Sequence, residues 1–272
     1  MALLLVSWLA YDKVAAMATG HSKKTVDLPI IMYHSVVKDP SQLGTYVIAP
    51  QQVEQDITYL QKHGYTPIVV KDLIGYVYHH QALPAKPVMI TFDDGCLNNL
   101  VYIKDILIQK KVKVVVSPVG YDVDFYSGIS DREPDYAYLT WNDIKAMTKS
   151  GYYEFQNHSY NLHQYGARHG SARKYGENRA VYEKMFTADT LKMQQALKDK
   201  AGVTAEAYTY PFGVICDESV DLVKKLGFKA SFTCHEKINQ LSGSKEELYC
   251  LGRFNRPSGI STAQFMQKAG IK

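Results

Sequence analysis

Pro87-Val88-Met89-Ile90-Thr91-Phe92-Asp93-Asp94-Gly95 is the stretch on which the fold turns. From Pro87 to Asp93 it reads as a strand, closed by two adjacent carboxylates and a glycine that allows a sharp exit. A nearly continuous apolar run of this length suits a strand buried on both faces, as in a parallel sheet. Upstream, Leu28–Val37 reads as a strand. Pro50–His63 reads as a helix, with Val53, Ile57 and Leu60 at i, i+4 and i+7. Thr66–Val70 is a strand and Lys71–Ala82 a helix. Downstream, the helix Asn98–Lys110 is followed by the strand Val112–Val119 and a loop from Tyr121 to Tyr138. Thr140 opens the next helix, with Asp143 at capping-box spacing. The strand Tyr152–Asn157 leads to a polar loop reaching about Gly176, then a long helix over Asn178–Lys200. The strand Ala205–Tyr210, the helix Glu218–Leu226, the strands Phe228–Cys234 and Tyr249–Asn255, and the helix Ser261–Lys268 complete the chain. Alternating strands and helices imply parallel strands with helices outside. Seven or eight such units predict a distorted (β/α)7-8 barrel, whose active site would lie at the C-terminal strand ends.

The chain has 272 residues, 46% hydrophobic and 21% charged, enough for a sizeable core. Its formal charge of +4 comes with no Lys/Arg block, which argues against a nucleic-acid partner. Tyrosine is abundant at 21 residues; its flat face and polar tip suit sugar rings, but a tyrosine-rich background composition accounts for most of them. Cys96, Cys216, Cys234 and Cys250 form no C-x-x-C pair and read as free thiols. Ala2–Tyr11 is an apolar run too short to span a bilayer, and Ala16-Met17-Ala18 has the small residues of a cleavage site. Residues 1–27 are therefore expected to be a signal or anchor segment and linker, and residues 28–272 the functional domain. This predicts an extracytoplasmic protein, secreted or held by N-terminal membrane association. Oligomeric state is not legible.

Three strand ends carry candidate chemistry. Asp93 and Asp94 point opposite ways if the strand persists, so one could bind a cation while the other stays free as a base. His158 and His163, in Asn157-His158-Ser159-Tyr160-Asn161-Leu162-His163, could join one carboxylate in a two-His, one-carboxylate set with open positions. His34 ends the apolar first strand. Each fragment alone has an ordinary reading: a turn, a loop pair, a core histidine.

Together these fragments resemble the polysaccharide deacetylases of the NodB-homology type, carbohydrate esterase family four, over nearly the whole chain from Leu28. Thr91-Phe92-Asp93-Asp94-Gly95 matches the family's first motif. The resemblance implies that Asp93 is the general base, that Asp94, His158 and His163 hold a divalent metal (zinc, or cobalt, nickel or iron), and that the substrate is an acetylated polysaccharide. The histidine spacing is one residue wider than the common H-[ST]-x-x-H and resembles the branch of poly-N-acetylglucosamine deacetylases. Tyr210-Pro211-Phe212-Gly213 resembles the third motif, with the Phe212 N–H at the oxyanion and its ring lining the acetyl pocket; Tyr33, Tyr210 and Pro211 are expected to contact substrate. Thr209 stands where that motif has an arginine, and Arg253 is the candidate replacement. The C-terminal L-x-H motif of the catalytic acid is missing. His34, in the permuted position, is chosen for that role over His235. The expected function is removal of N-acetyl groups from a peptidoglycan- or poly-N-acetylglucosamine-type polymer. The alternatives are an O-acetyl esterase on a xylan-like glycan and a non-catalytic carbohydrate-binding protein. A glycosidase using Asp93 and Glu154 would leave both loop histidines unexplained.

Overall fold

The computed structural model describes residues 25–272; the signal or anchor reading of the N-terminal segment lies outside the described residues. The strands are β1 (Val26–Leu28), β2 (Ile30–Tyr33), β3 (Ser35–Val36), β4 (Val47–Ile48), β5 (Thr66–Ile68), β6 (Pro87–Asp94), β7 (Val114–Pro118), β8 (Tyr153–Phe155), β9 (Ala207–Thr209), β10 (Ala230–Phe232), β11 (Asn239–Leu241) and β12 (Phe254–Asn255). The apolar stretch of β6 is central, paired in parallel with β2 and β5 and, separately, with β7. β12 extends this sheet beyond β2, and β8 extends it beyond β7, again in parallel. β9 and β10 form their own parallel pair. Single bridges, Asn157 to Tyr208 and Phe232 to Leu251, connect that pair to β8 and to the chain entering β12. The result is an α/β fold with a parallel central sheet, curved as a distorted barrel whose ladder is interrupted at those two bridges.

The two-residue period of the strands divides the core. Val88, Ile90 and Phe92 pack in one apolar cluster with Ile31, Tyr33, Val114 and Val116. Met89 packs in the other with Ile30, Val115, Ala207, Ala230 and Phe232. The second cluster also takes the buried stripe of α2 (Val70–His79), through Leu73, Ile74 and Val77, and the first takes the stripes of the other outer helices. In α1 (Pro50–Lys62) these are Val53, Ile57 and Leu60, each worth about 1.5–3 kcal/mol when fully buried. Asp93 falls on the face of Met89 and Thr91, inside the barrel, because odd-numbered residues of β6 point that way.

Several boundaries differ from the sequence reading. The first strand is split into β1, β2 and β3. The helix expected over 98–110 breaks into α3 (Asn98–Val101) and α4 (Lys104–Lys110). The loop expected from 121 to 138 begins with a helix, α5 (Gly120–Ser127); it has no apolar stripe, and only Gly120 and Val123 are buried, so periodicity could not reveal it. β11, antiparallel to β1, was missed because three residues carry no usable alternation. α6 (Trp141–Ser150) starts where its cap predicts: Thr140 Oγ1 accepts the Asp143 N–H at 3.2 Å, and Asp143 accepts the Thr140 N–H at 2.7 Å.

Candidate active site

The C-terminal end of β6 separates its two carboxylates. Asp93 is 2% exposed and faces the interior, where Arg253, fully buried, meets it with a two-pronged bond of 2.7 Å on each arm. Arg253 is itself aimed by its Nε, which donates to the Thr233 carbonyl at 3.0 Å, and by Nη1, which donates to Thr91 Oγ1 at 3.2 Å. Burial pushes the Asp93 carboxyl up, but Arg253 with help from His158 outweighs it, leaving the carboxyl below its ordinary range. Asp94 leaves the strand in the left-handed region, φ 67°, and Gly95 follows at φ 81°. A side chain at Gly95 would meet Pro118 Cβ at 2.6 Å, so the sharp exit requires glycine here.

The histidine loop is held from outside. Its backbone turns through Ser159, φ 67°. Asp189, on α7 (Arg179–Ala196), accepts the N–H groups of Tyr160 and Asn161, each at 2.8 Å. This turn absorbs the extra residue between the histidines and brings His163 back beside His158. His158 donates through Nδ1 to the Thr209 carbonyl at 2.8 Å, so in the neutral ring the lone pair sits on Nε2. Thr209, standing where an arginine was expected, therefore contributes its backbone, while its hydroxyl pairs with Ser117 at 2.8 Å.

The free Nε2 atoms of His158 and His163 lie 3.4 and 3.3 Å from one oxygen of Asp94. One donor atom from each of the three residues lies within 4.8 Å of the others. Asp94 Oδ1 is buried and makes no hydrogen bond. Two ligands about 2.0–2.1 Å from one tetrahedral ion stand roughly 3.3 Å apart, so this orphaned oxygen and the two imidazoles fit a divalent cation. Burial opposes the charge on Asp94, but His158, His34 and His163 outweigh it and hold the carboxylate well below its ordinary range. His158 is lifted past the effect of its burial by Asp94 and Asp93, whereas burial pushes His163 down. A cation would compete with protons for these nitrogens.

His34 follows β2 and opens on a cleft of about 280 Å³, shared with Asp94, Tyr46, Asn98 and Tyr138. Its Nδ1 is buried without a partner, and its ring meets the edge of Tyr46 at 4.9 Å. Asn99 Nδ2 fixes its backbone by donating to the His34 carbonyl at 2.8 Å. Phe212 is held at φ 57° in a tight turn whose i→i+3 bonds use the N–H groups of Gly213 and Val214, not its own. Its ring stacks on His163 at 4.2 Å.

The structure thus gathers Asp93, Asp94, His158, His163, Arg253, His34 and Phe212 at one end of the barrel. The expected substrate contacts Tyr33 and Tyr210 require correction. Tyr33 is 1% exposed, stacks on Phe92, and spends its hydroxyl on Asp56 at 2.9 Å; Tyr210 is fully buried. Pro211 is buried too and serves to start the Phe212 turn. Asp56 is also bridged by Arg256, so Tyr33 belongs to a buried structural network. His235 is exposed, with its backbone carbonyl accepting the Arg253 N–H. Glu154 is occupied by the Lys71 N–H and Gln156, away from Asp93, which removes the glycosidase pair. All four cysteines are free. The aromatic neighbours Tyr46, Tyr165 and His169 were not singled out in the sequence, because nothing in their local pattern marks them.

A parallel α/β barrel with a two-His, one-carboxylate centre beside an arginine-held carboxylate defines a class of hydrolase. The family model for polysaccharide deacetylase matches residues 80–231, more than half of the chain, and the protein belongs to that family. It is similar to the poly-beta-1,6-N-acetyl-D-glucosamine N-deacetylase of Escherichia coli, 25% identical over 78% of this chain and 34% of that protein. It is 23% identical to the Staphylococcus epidermidis protein of the same name, over 84% of this chain and 75% of the relative. The chain thus spans about a third of the Escherichia coli relative. A de-N-acetylase from Aggregatibacter actinomycetemcomitans has the same fold, with a TM-score of 0.75, 22% identity, and coverage of 89% of this chain and 99% of that one.

Proposed function

We propose that this protein is a metal-dependent N-deacetylase acting on a poly-N-acetylglucosamine- or peptidoglycan-type polymer outside the cytoplasm. The observation that carries this reading is the division of labour between the adjacent carboxylates: Asp94 faces two imidazoles, and Asp93 faces Arg253. A carbohydrate-binding protein has no use for a buried, ionised second carboxylate, whose desolvation is costly. Asp94, His158 and His163 would hold the cation, for which their nitrogen and oxygen donors favour zinc, with cobalt, nickel or iron as substitutes. When bound, a divalent cation supplies Lewis acidity and lowers the pKa of a coordinated water to about 7.

The chain's own residues supply the rest. Arg253 keeps Asp93 ionised and fixed in direction, and each carboxylate oxygen retains a lone pair to take a proton from the attacking water. The Phe212 N–H, unused by its own turn, stabilises the oxyanion, a contribution of about 3–4 kcal/mol for such a donor. His34 protonates the leaving amine, a step that an amide requires because an unprotonated amine leaves poorly. The apolar run Ala2–Tyr11 and the small residues Ala16-Met17-Ala18 support an extracytoplasmic site of action. Among the described residues, no helix is long and apolar enough to cross a membrane. The reading is tested by measuring acetate release from N-acetylglucosamine oligomers, peptidoglycan fragments and acetylated xylan. Release from the first two is expected. Release from xylan alone would replace N-deacetylase with O-acetyl esterase, and no release from any glycan would leave a binding protein.

A further inference from the structure

Beside the candidate metal ligand His163, the Phe212 ring is backed by two rings that the reaction does not use. Phe212 is packed by Tyr165 at 4.7 Å and by His169 at 4.4 Å, and these two rings face each other at 6.0 Å. Tyr165 is 84% exposed, so its burial against Phe212 does not explain its presence. The loop that carries it is nevertheless anchored. A Cβ at Gly170, φ 65°, would lie 2.6 Å from the Pro211 carbonyl oxygen, so the loop base is pressed against the Phe212 turn. Ser171 is fully buried, with its hydroxyl on Tyr208 and its carbonyl accepting the Tyr182 hydroxyl at 2.6 Å. Arg168 pairs with Glu177 across the loop, and Arg173 ties the loop to Glu218 on the helix Asp217–Lys225. An aromatic side chain is thus offered to solvent from a fixed base, at the rim of the site.

The wider distribution points the same way. The exposed large aromatic side chains among the described residues are Tyr46, Tyr121, Phe125, Tyr136, Tyr165 and Tyr175. Tyr46 lies between β3 and β4, Tyr121, Phe125 and Tyr136 between β7 and β8, and Tyr165 and Tyr175 between β8 and α7, and of these Tyr46 and Tyr136 line the His34 cleft with Asp94.

We infer that Tyr165, backed by His169 and Phe212, is the stacking platform for a pyranose ring next to the one being deacetylated. This rests on the deacetylase reading and adds the recognition of the polymer to it. The chemistry is the match between an aromatic face and the C–H face of a β-linked hexosamine, with the Tyr hydroxyl free for the sugar's polar edge. Tyr46, beside His34, is supported by no ring but that of His34.

The test compares wild type, Tyr165→Ala and Tyr165→Trp on a pentamer of β-linked N-acetylglucosamine, with calorimetric binding of the same pentamer alongside. Tyr165→Ala should raise KM about five- to tenfold, the size of one lost aromatic contact, with kcat changed less than twofold. Tyr165→Trp should restore KM. An unchanged KM, or a fall in kcat at constant KM, overturns the platform. Failure of wild type to release acetate would count against the deacetylase reading instead, and the binding measurement would still decide the platform: weaker binding by Tyr165→Ala supports it, and equal binding overturns it. Tyr165 is exposed, so the variants should melt with wild type, and a lowered melting temperature would mean that the ring serves the fold.

Discussion

Replacing Arg253 with methionine is the most informative single perturbation of the buried site. Arg253 is fully buried and Asp93 2% exposed, and the two arms of their contact are both 2.7 Å. Arg253→Met keeps much of the side chain's volume but leaves the Asp93 carboxylate without its counter-charge in the barrel interior. Removing one partner of a buried pair costs about 3–5 kcal/mol, because the orphaned charge keeps its desolvation penalty. For a domain of this size that corresponds to a fall of roughly 6–20 °C in Tm. Urea unfolding at neutral pH measures it, in a cycle with Asp93→Asn and the double variant. The double variant should recover at least about 1–2 kcal/mol relative to Arg253→Met, since it removes the stranded charge. A single-variant loss below about 1 kcal/mol, or strict additivity in the cycle, would refute the argument that Asp93 depends on Arg253.

Asp94→Ala and His163→Ala should each lose the bound cation when metal content is measured by mass spectrometry, and full stoichiometric retention in both would contradict the ligand assignment. Asp93→Asn should keep its metal and lose nearly all acetate release; a metal-free or nearly fully active variant would dissolve the split between the two carboxylates. His34→Ala should fold, bind metal and lose about 10²–10⁴-fold in rate on N-acetyl substrates, but far less on nitrophenyl acetate, whose leaving group needs no proton. If the selective loss on amides appears in His235→Ala instead, the acid role moves to His235. Thr140→Ala should cost about 1 kcal/mol in denaturant unfolding through loss of the α6 cap, without changing acetate release.

The parts of this molecule that sequence exposes are those where a local rule and the tertiary structure agree. The apolar β6 run, the Thr140 cap and the α1 stripe all fit that description. The candidate site residues could be picked out because strand ends collect at one face of a barrel and because their motifs resemble those of the family. Arg253 could be chosen only by asking what would neutralise Asp93 once Thr209 stood in the arginine's position. Tyr33 and Tyr210 misled because a tyrosine beside a catalytic motif looks the same whether its ring faces outward or inward. The Asp56 and Arg256 partners that draw Tyr33 inward lie 23 and more than 200 residues away in sequence. Asp189 was equally hidden, since a carboxylate accepting two loop N–H groups has no sequence signature. The platform around Tyr165 depends on a loop whose base packs against a turn over 40 residues later, and no periodicity encodes that contact.

The central claim is tested most directly by stripping the protein with a chelator and restoring metal while acetate release from an N-acetylglucosamine oligomer is followed. The account predicts that release disappears on stripping and returns in proportion to added zinc or cobalt, saturating at one ion per chain. Release that survives complete removal of the metal, or that fails to appear with one ion bound at Asp94, His158 and His163, would contradict it.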